Sequence, residues 1–195
     1  YSTFAAIDIG SYDVILEIFE ISKKQGIRSV DKICHRMELG KDTYTLGKIR
    51  PEMEEELCRV LADFVRIMEG YRVDAYRAMA SSAISEAANS LYVLGKIRQL
   101  TGLSVTVLSN SEQRFLGYKA LAAMEDNFNK VIEKGTAILD LDGGSFQISL
   151  FDKDALVTTQ NIRMGSLRVR ERLAGIQSET EHYEEMVEEL IWNEV

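Results

Sequence analysis

Two stretches decide the fold: Phe4-Ala5-Ala6-Ile7-Asp8-Ile9-Gly10-Ser11 and Ala137-Ile138-Leu139-Asp140-Leu141-Asp142-Gly143-Gly144-Ser145. Each is an apolar run with a carboxylate near its end, followed by glycine and a hydroxyl. A further apolar run follows each, Val14-Ile15-Leu16 in the first case and Ile148-Ser149-Leu150-Phe151 in the second. The grammar predicts two β-hairpins whose tight turns expose backbone N–H groups, since glycine reaches angles that a side chain forbids. Such turns form anion nests, and a carboxylate beside each, Asp8 or Asp140, is placed to hold a magnesium ion against a phosphate. Gly plus Ser or Asp is also ordinary turn chemistry. A carboxylate ending an apolar strand, however, is costly unless it is solvated, paired or metal-bound. Two matched turns predict a cleft that grips a polyphosphate from both sides.

Outward from these turns, residues 3–9, 12–21 and 27–37 predict an antiparallel meander. Pro51 opens a periodic helix carrying Met53, Leu57, Val60, Leu61, Phe64, Val65 and Met68, which ends at Gly70. A strand at 75–80, a helix over about 85–100 and a strand at 105–108 follow, and Ser109 or Asn110 caps a helix to about Met124. A second meander is expected at 136–141, 146–151 and 156–162, then a helix from near Gly165 and an acidic one over 179–193. Hairpin strands followed by α/β units imply mixed sheets with helices on their faces. The expected domains are 1–124 and 135–195, joined by the polar residues 125–134.

The 195 residues carry a formal net charge of −8 and are 46% hydrophobic. A globally acidic chain is a poor non-specific nucleic-acid binder, so DNA is not an expected partner. No apolar run is long enough to cross a membrane, and no secretory pattern opens the chain. Cys34 and Cys58 lack metal spacing and read as reduced thiols of a cytoplasmic protein. With only His35 and His182 present, a histidine metal site or phosphorelay is not expected. The start at Tyr1 and the end within an apparent helix lead us to expect a fragment with a truncated second half. Exposed apolar sheet would then favour association, which admits a homodimer of the full-length protein.

Further segments resemble one family. Arg36-Met37-Glu38-Leu39-Gly40 with Gly47-Lys48-Ile49, Ala80-Ser81-Ser82-Ala83-Ile84-Ser85, and Leu108-Ser109-Asn110-Ser111-Glu112-Gln113 resemble segments of the exopolyphosphatase and guanosine pentaphosphate phosphatase family. Met164-Gly165-Ser166-Leu167-Arg168 with Glu171 resembles its element after the second loop. The resemblance implies an α/β, actin-like (ribonuclease H-like) fold of duplicated mixed sheets flanked by helices. It also implies magnesium-dependent hydrolysis of terminal phosphoanhydrides of inorganic polyphosphate or guanosine pentaphosphate. By the same resemblance, Gly10, Ser11, Gly143, Gly144, Ser145, Gln147 and Arg168 bind phosphate, and Asp8 and Asp140 hold metal.

The chain departs from the family pattern where chemistry is expected. The catalytic glutamate falls at Gln113, the second-loop glutamate at Gln147, and an arginine at Ser85. Tyr12 and Asp13 alter the first loop, and Asp142 replaces a glycine of the second. An amide can orient water but cannot take its proton, and losing a general base costs about 10²–10⁴-fold. Glu112 is the candidate substitute base, although it also reads as an ordinary first-turn helix carboxylate. Arg163, Arg170 and Arg172 read as balancing the acidic helix. Two functions follow: a phosphoanhydride hydrolase, or a degenerate member that binds phosphate, polyphosphate or nucleotide without turnover. A kinase or ATPase is disfavoured, since no adenosine-binding segment is evident.

Overall fold

The computed structural model describes residues 1–125, 127–174 and 182–194. They form two units, Tyr1–Leu108 and Ser109–Val195.

In the first unit, strict alternation along β1 (Ser2–Ile9) buries Ala5, Ile7 and Ile9 and turns Asp8 to the opposite, exposed face. β1 pairs antiparallel with β2 (Asp13–Ser22), which pairs antiparallel with β3 (Gly26–Arg36), as the meander predicts. On its other edge β1 pairs in parallel with β4 (Ala75–Ala80), and β4 with β5 (Val105–Val107). The strand order is therefore β3-β2-β1-β4-β5. Between β3 and β4 lie α1 (Leu39–Leu46) and α2 (Pro51–Gly70), the latter with Pro51 in its first turn as expected. Leu57, Leu61, Phe64 and Met68 of α2 pack in one core with Ile7, Ile9, Leu16 and Ile18 of the sheet. Burying one such side chain contributes about 1.5–3 kcal/mol.

The segment predicted as one helix over 85–100 is two, α3 (Ser82–Ser85) and α4 (Ser90–Thr101). The break has a physical cause: Asn89 is spent on long-range bonds. Its Oδ1 accepts from Ile49 N–H (3.0 Å), and its Nδ2 donates to Ile49 O (2.8 Å) and to Glu54 Oε1 (2.8 Å). Glu54, buried in α2, also meets Lys96 Nζ of α4 at 3.4 Å. These bonds lock α4 to α2.

In the second unit, α5 (Asn110–Met124) and α6 (Phe128–Ile132) precede an antiparallel sheet of β6 (Thr136–Leu141), β7 (Phe146–Asp152) and β8 (Ala155–Ile162). α7 (Ser166–Leu173) follows, then α8 (Tyr183–Glu194). The part of the acidic helix expected at 179–181 lies outside the described residues. α5 was expected to close the first domain, but it packs within the second unit. Its Tyr118 hydroxyl donates to Ser149 Oγ of β7, and its ring meets Phe151 edge-on with centroids 5.2 Å apart. β7 consequently buries an unusual face, Gln147, Ser149 and Phe151, while Leu139 and Leu141 of β6 each stay 62% exposed. Among the described residues no helix is long and apolar enough to cross a membrane.

Candidate functional site

The sequence candidates fall into two groups, one in each unit. In the first unit, Gly10 N–H donates to Asp13 O (3.0 Å) and closes the β1–β2 turn. A Cβ at Gly10 would stand 3.1 Å from that same carbonyl oxygen, so the tight turn favours glycine there. Ser11 is buried, and its hydroxyl lies 2.7 Å from Tyr44 Oη, which lies 2.7 Å from Ser82 Oγ. The backbone on the loop's far side is fixed as well: Ser11 O accepts from Gly40 N–H, and Tyr12 O accepts from Met37 and Glu38 N–H. Tyr44 thus ties the first glycine turn to the segment opening α3, a link that sequence reasoning missed because nothing in the spacing marks it. Ser85, at the end of α3, is exposed.

The second unit gathers Gln113, Asp140, Gly143, Gly144, Ser145, Gln147 and Arg168 around the β6–β7 turn. Asp140 and Gln147 are direct cross-strand partners, which puts both side chains on the face toward α5. They help line a cavity of about 280 Å³ with Arg114, Tyr118, Ile138 and Ser149. Gln147 is only 2% exposed, and its Oε1 has no hydrogen-bond partner among the described residues. Partial withdrawal from water, and secondarily the negative charge of Asp142, raise the Asp140 carboxyl above its ordinary range. A partly buried carboxylate beside an unpartnered amide oxygen supplies hard oxygen donors of the kind that hold divalent metal ions. Among the described residues no group of three or more His, Cys, Asp or Glu side chains is placed to hold a metal.

The turn itself departs from the exposed nest that the sequence predicts. Asp142 Oδ1 accepts from Gly144 N–H (2.6 Å) and from Ser145 N–H (2.7 Å), while Gln113 Nε2 donates to Asp142 Oδ2 (3.2 Å). An aspartate two and three residues ahead of two N–H groups forms an Asx turn, the signal that could have announced this closure. Gly143, Gly144 and Ser145 are buried beneath Gly165, where a Cβ would fall 2.3–2.4 Å from their backbone atoms. The first turn of α7 completes the clamp. Ser166 N–H donates to Asp142 O (2.9 Å), Leu167 and Arg168 N–H donate to Gly143 O, and Arg168 Nε donates to Gly144 O (2.9 Å).

Glu112 has a different task. Its Oε2 accepts from Ser109 N–H and Ser109 Oγ (both 2.8 Å), and Ser109 Oγ accepts from Glu112 N–H, a capping box at the start of α5. The backbone hydrogen bond first, then the hydroxyl, lower the Glu112 carboxyl below its ordinary value. A carboxylate so stabilised is a weak proton acceptor.

Comparison with known proteins bears on both units. The model of the Ppx/GppA phosphatase family matches residues 17–195. The bifunctional 3-dehydroquinate synthase/phosphatase of Fusobacterium nucleatum is 21% identical over 174 residues, 86% of this chain and 26% of that protein. Exopolyphosphatase 1 of Mycobacterium leprae is 25% identical over 144 residues, 73% of this chain and 41% of that one. The crystal structure of an exopolyphosphatase from Cytophaga hutchinsonii superposes with a TM-score of 0.75 at 21% identity, covering 88% of this chain and 53% of its own. The chain therefore spans well under half the length of these two curated relatives, and the likeness to the solved structure is one of fold. That fold is the actin-like α/β architecture, with helices flanking the two sheets. By its family match over nearly its whole length, the chain belongs to the Ppx/GppA phosphatase family.

Proposed function

We propose that this protein grips the terminal phosphates of inorganic polyphosphate or guanosine pentaphosphate in the manner of an exopolyphosphatase, and that it hydrolyses them slowly or not at all. Membership of a phosphatase family supports the substrate class. The observation that carries the weakened turnover is Gln113, an amide donating to Asp142 where the family resemblance places a catalytic glutamate. Phosphoryl transfer to water needs charge neutralisation, in-line positioning and a base near the nucleophile. Gly10 and Ser11 of the first unit, and Gly143, Gly144, Ser145, Gln147 and Arg168 of the second, are the proposed phosphate-binding residues. Asp140 and Asp8 are the proposed magnesium ligands. Bound there, the ion would neutralise phosphate charge. Gln113 would orient a water without deprotonating it, and Glu112, held in its cap, is not poised to substitute. The cytoplasm is the proposed compartment.

The test is phosphate release from long-chain polyphosphate and from guanosine pentaphosphate, with and without magnesium. The unmodified chain should be slow. In an Asp142→Gly background, Gln113→Glu, Gln147→Glu and Ser85→Arg together should raise the rate by more than the product of their single effects, because groups acting as a unit are non-additive. Turnover of the unmodified protein at roughly 1–10³ per second would refute the proposal.

A further inference from the structure

The second glycine turn already holds an anion. Asp142 Oδ1 takes the N–H groups of Gly144 (2.6 Å) and Ser145 (2.7 Å), and Gln113 Nε2 secures the other oxygen at 3.2 Å. The backbone behind it is immobilised by α7, through the donors of Ser166, Leu167 and Arg168 to the carbonyls of Asp142 and Gly143. Gly165, pressed against the turn, leaves the loop no room to retreat. A phosphate oxygen entering this nest would have to displace a charge-assisted pair of hydrogen bonds. It would also have to face the freed Asp142 carboxylate.

We propose that Asp142 is an internal anion latched by Gln113, and that the pair sets specificity by closing the second turn to phosphate. This rests on the turn being the phosphate site named above, and it refines that reading: the second turn admits phosphate only when the latch is opened. Two positions at which the chain departs from the family pattern, Gln113 and Asp142, then form one device. An amide at 113 donates to the carboxylate, whereas a carboxylate there would repel it.

The experiment is backbone-amide NMR of the chain, titrated with inorganic tripolyphosphate and compared with Asp142→Gly and Asp142→Asn. In the unmodified protein the Gly144 and Ser145 amide protons should resonate downfield, as carboxylate-bonded protons do, and ignore tripolyphosphate. Asp142→Asn keeps the acceptor and the turn but removes the charge, so both resonances should move upfield. Asp142→Gly should make both respond to tripolyphosphate, with affinity at this turn rising about tenfold or more, the worth of one hydrogen bond to a charged group. Gly144 and Ser145 amides that respond equally in the unmodified protein and in Asp142→Gly would overturn the latch, as would amides insensitive to both substitutions. A closed second turn with Gly10 and Ser11 amides that also ignore tripolyphosphate would support the latch and sink the polyphosphate reading instead.

Discussion

Gly165→Ala isolates the clamp on the second turn. Gly165 has φ −82° and ψ 165°, an extended conformation open to alanine, so the substitution introduces no backbone strain of its own. Its effect is steric. The new Cβ would lie 2.3 Å from Gly143 C and 2.4 Å from the nitrogens of Gly144 and Ser145, all backbone atoms that cannot rotate aside. Restoring ordinary contact, about 3.4–4 Å, requires the loop or α7 to retreat by about an ångström. Overpacking on this scale costs about 1–3 kcal/mol. The retreat also stretches the bonds from Ser166, Leu167 and Arg168 to the loop carbonyls, each worth about 0.5–1.5 kcal/mol net. A loss of about 2–4 kcal/mol in the second unit is expected, with the first unit unchanged. Because the chain has two units, amide hydrogen exchange in urea is the suitable assay, reading Leu167 and Arg168 against Leu16 and Ile18. Protection of Leu167 and Arg168 within about 0.5 kcal/mol of the unmodified protein would refute the packing argument.

Ser109→Ala removes the cap of α5 and should destabilise that helix by about 1 kcal/mol, seen as faster exchange in its first turn. The lowered Glu112 carboxyl acts in the same place: its contribution is complete above the unfolded glutamate value and disappears as pH falls through the lower folded value, so α5 should loosen on acidification and Glu112→Gln should flatten that response. Tyr44→Phe deletes the hydroxyl between buried Ser11 and Ser82 and should cost the first unit about 1–3 kcal/mol in chemical denaturation, while Tyr44→Leu should cost more. Asp140 has the opposite sign to Glu112. Its raised carboxyl binds protons more tightly in the folded state, so stability falls as pH climbs from the ordinary aspartate range through the raised value; Asp140→Asn should abolish that slope and stabilise the second unit at neutral pH, measured by urea titrations across the acid range.

Periodicity made much of this architecture readable. The alternation of β1 and β2 and the apolar stripe of α2 each follow from one side chain after another facing a core, and no distant partner is needed to see them. α1 was not legible for the converse reason. It buries Asp42 and Thr43, polar residues tolerated only because Arg50 N–H and guanidinium bind the carboxylate and Thr43 Oγ1 donates to Ala83 O at 2.6 Å. β7 hides Gln147 and Ser149 and leaves Leu150 exposed, a reversal that depends on α5 crossing that face. At the turns, glycine and serine announced the hairpins, and Asp142 was visible only as a departure from a pattern. Its occupation of the Gly144 and Ser145 N–H groups required coordinates, because a carboxylate beside glycines is equally compatible with an open nest and a filled one.

The bond from Gln113 to Asp142 also constrains the order in which such a site can change over generations. Were a glutamate to appear at 113 first, it would confront an aspartate already anchored by two backbone donors, and a lineage crossing that step would carry a repelling pair in its second unit. Exchange of Asp142 for glycine meets no such obstacle, since it brings no second negative charge and costs Gln113 only one hydrogen bond. A path from this sequence to a carboxylate base should therefore run through position 142 before position 113.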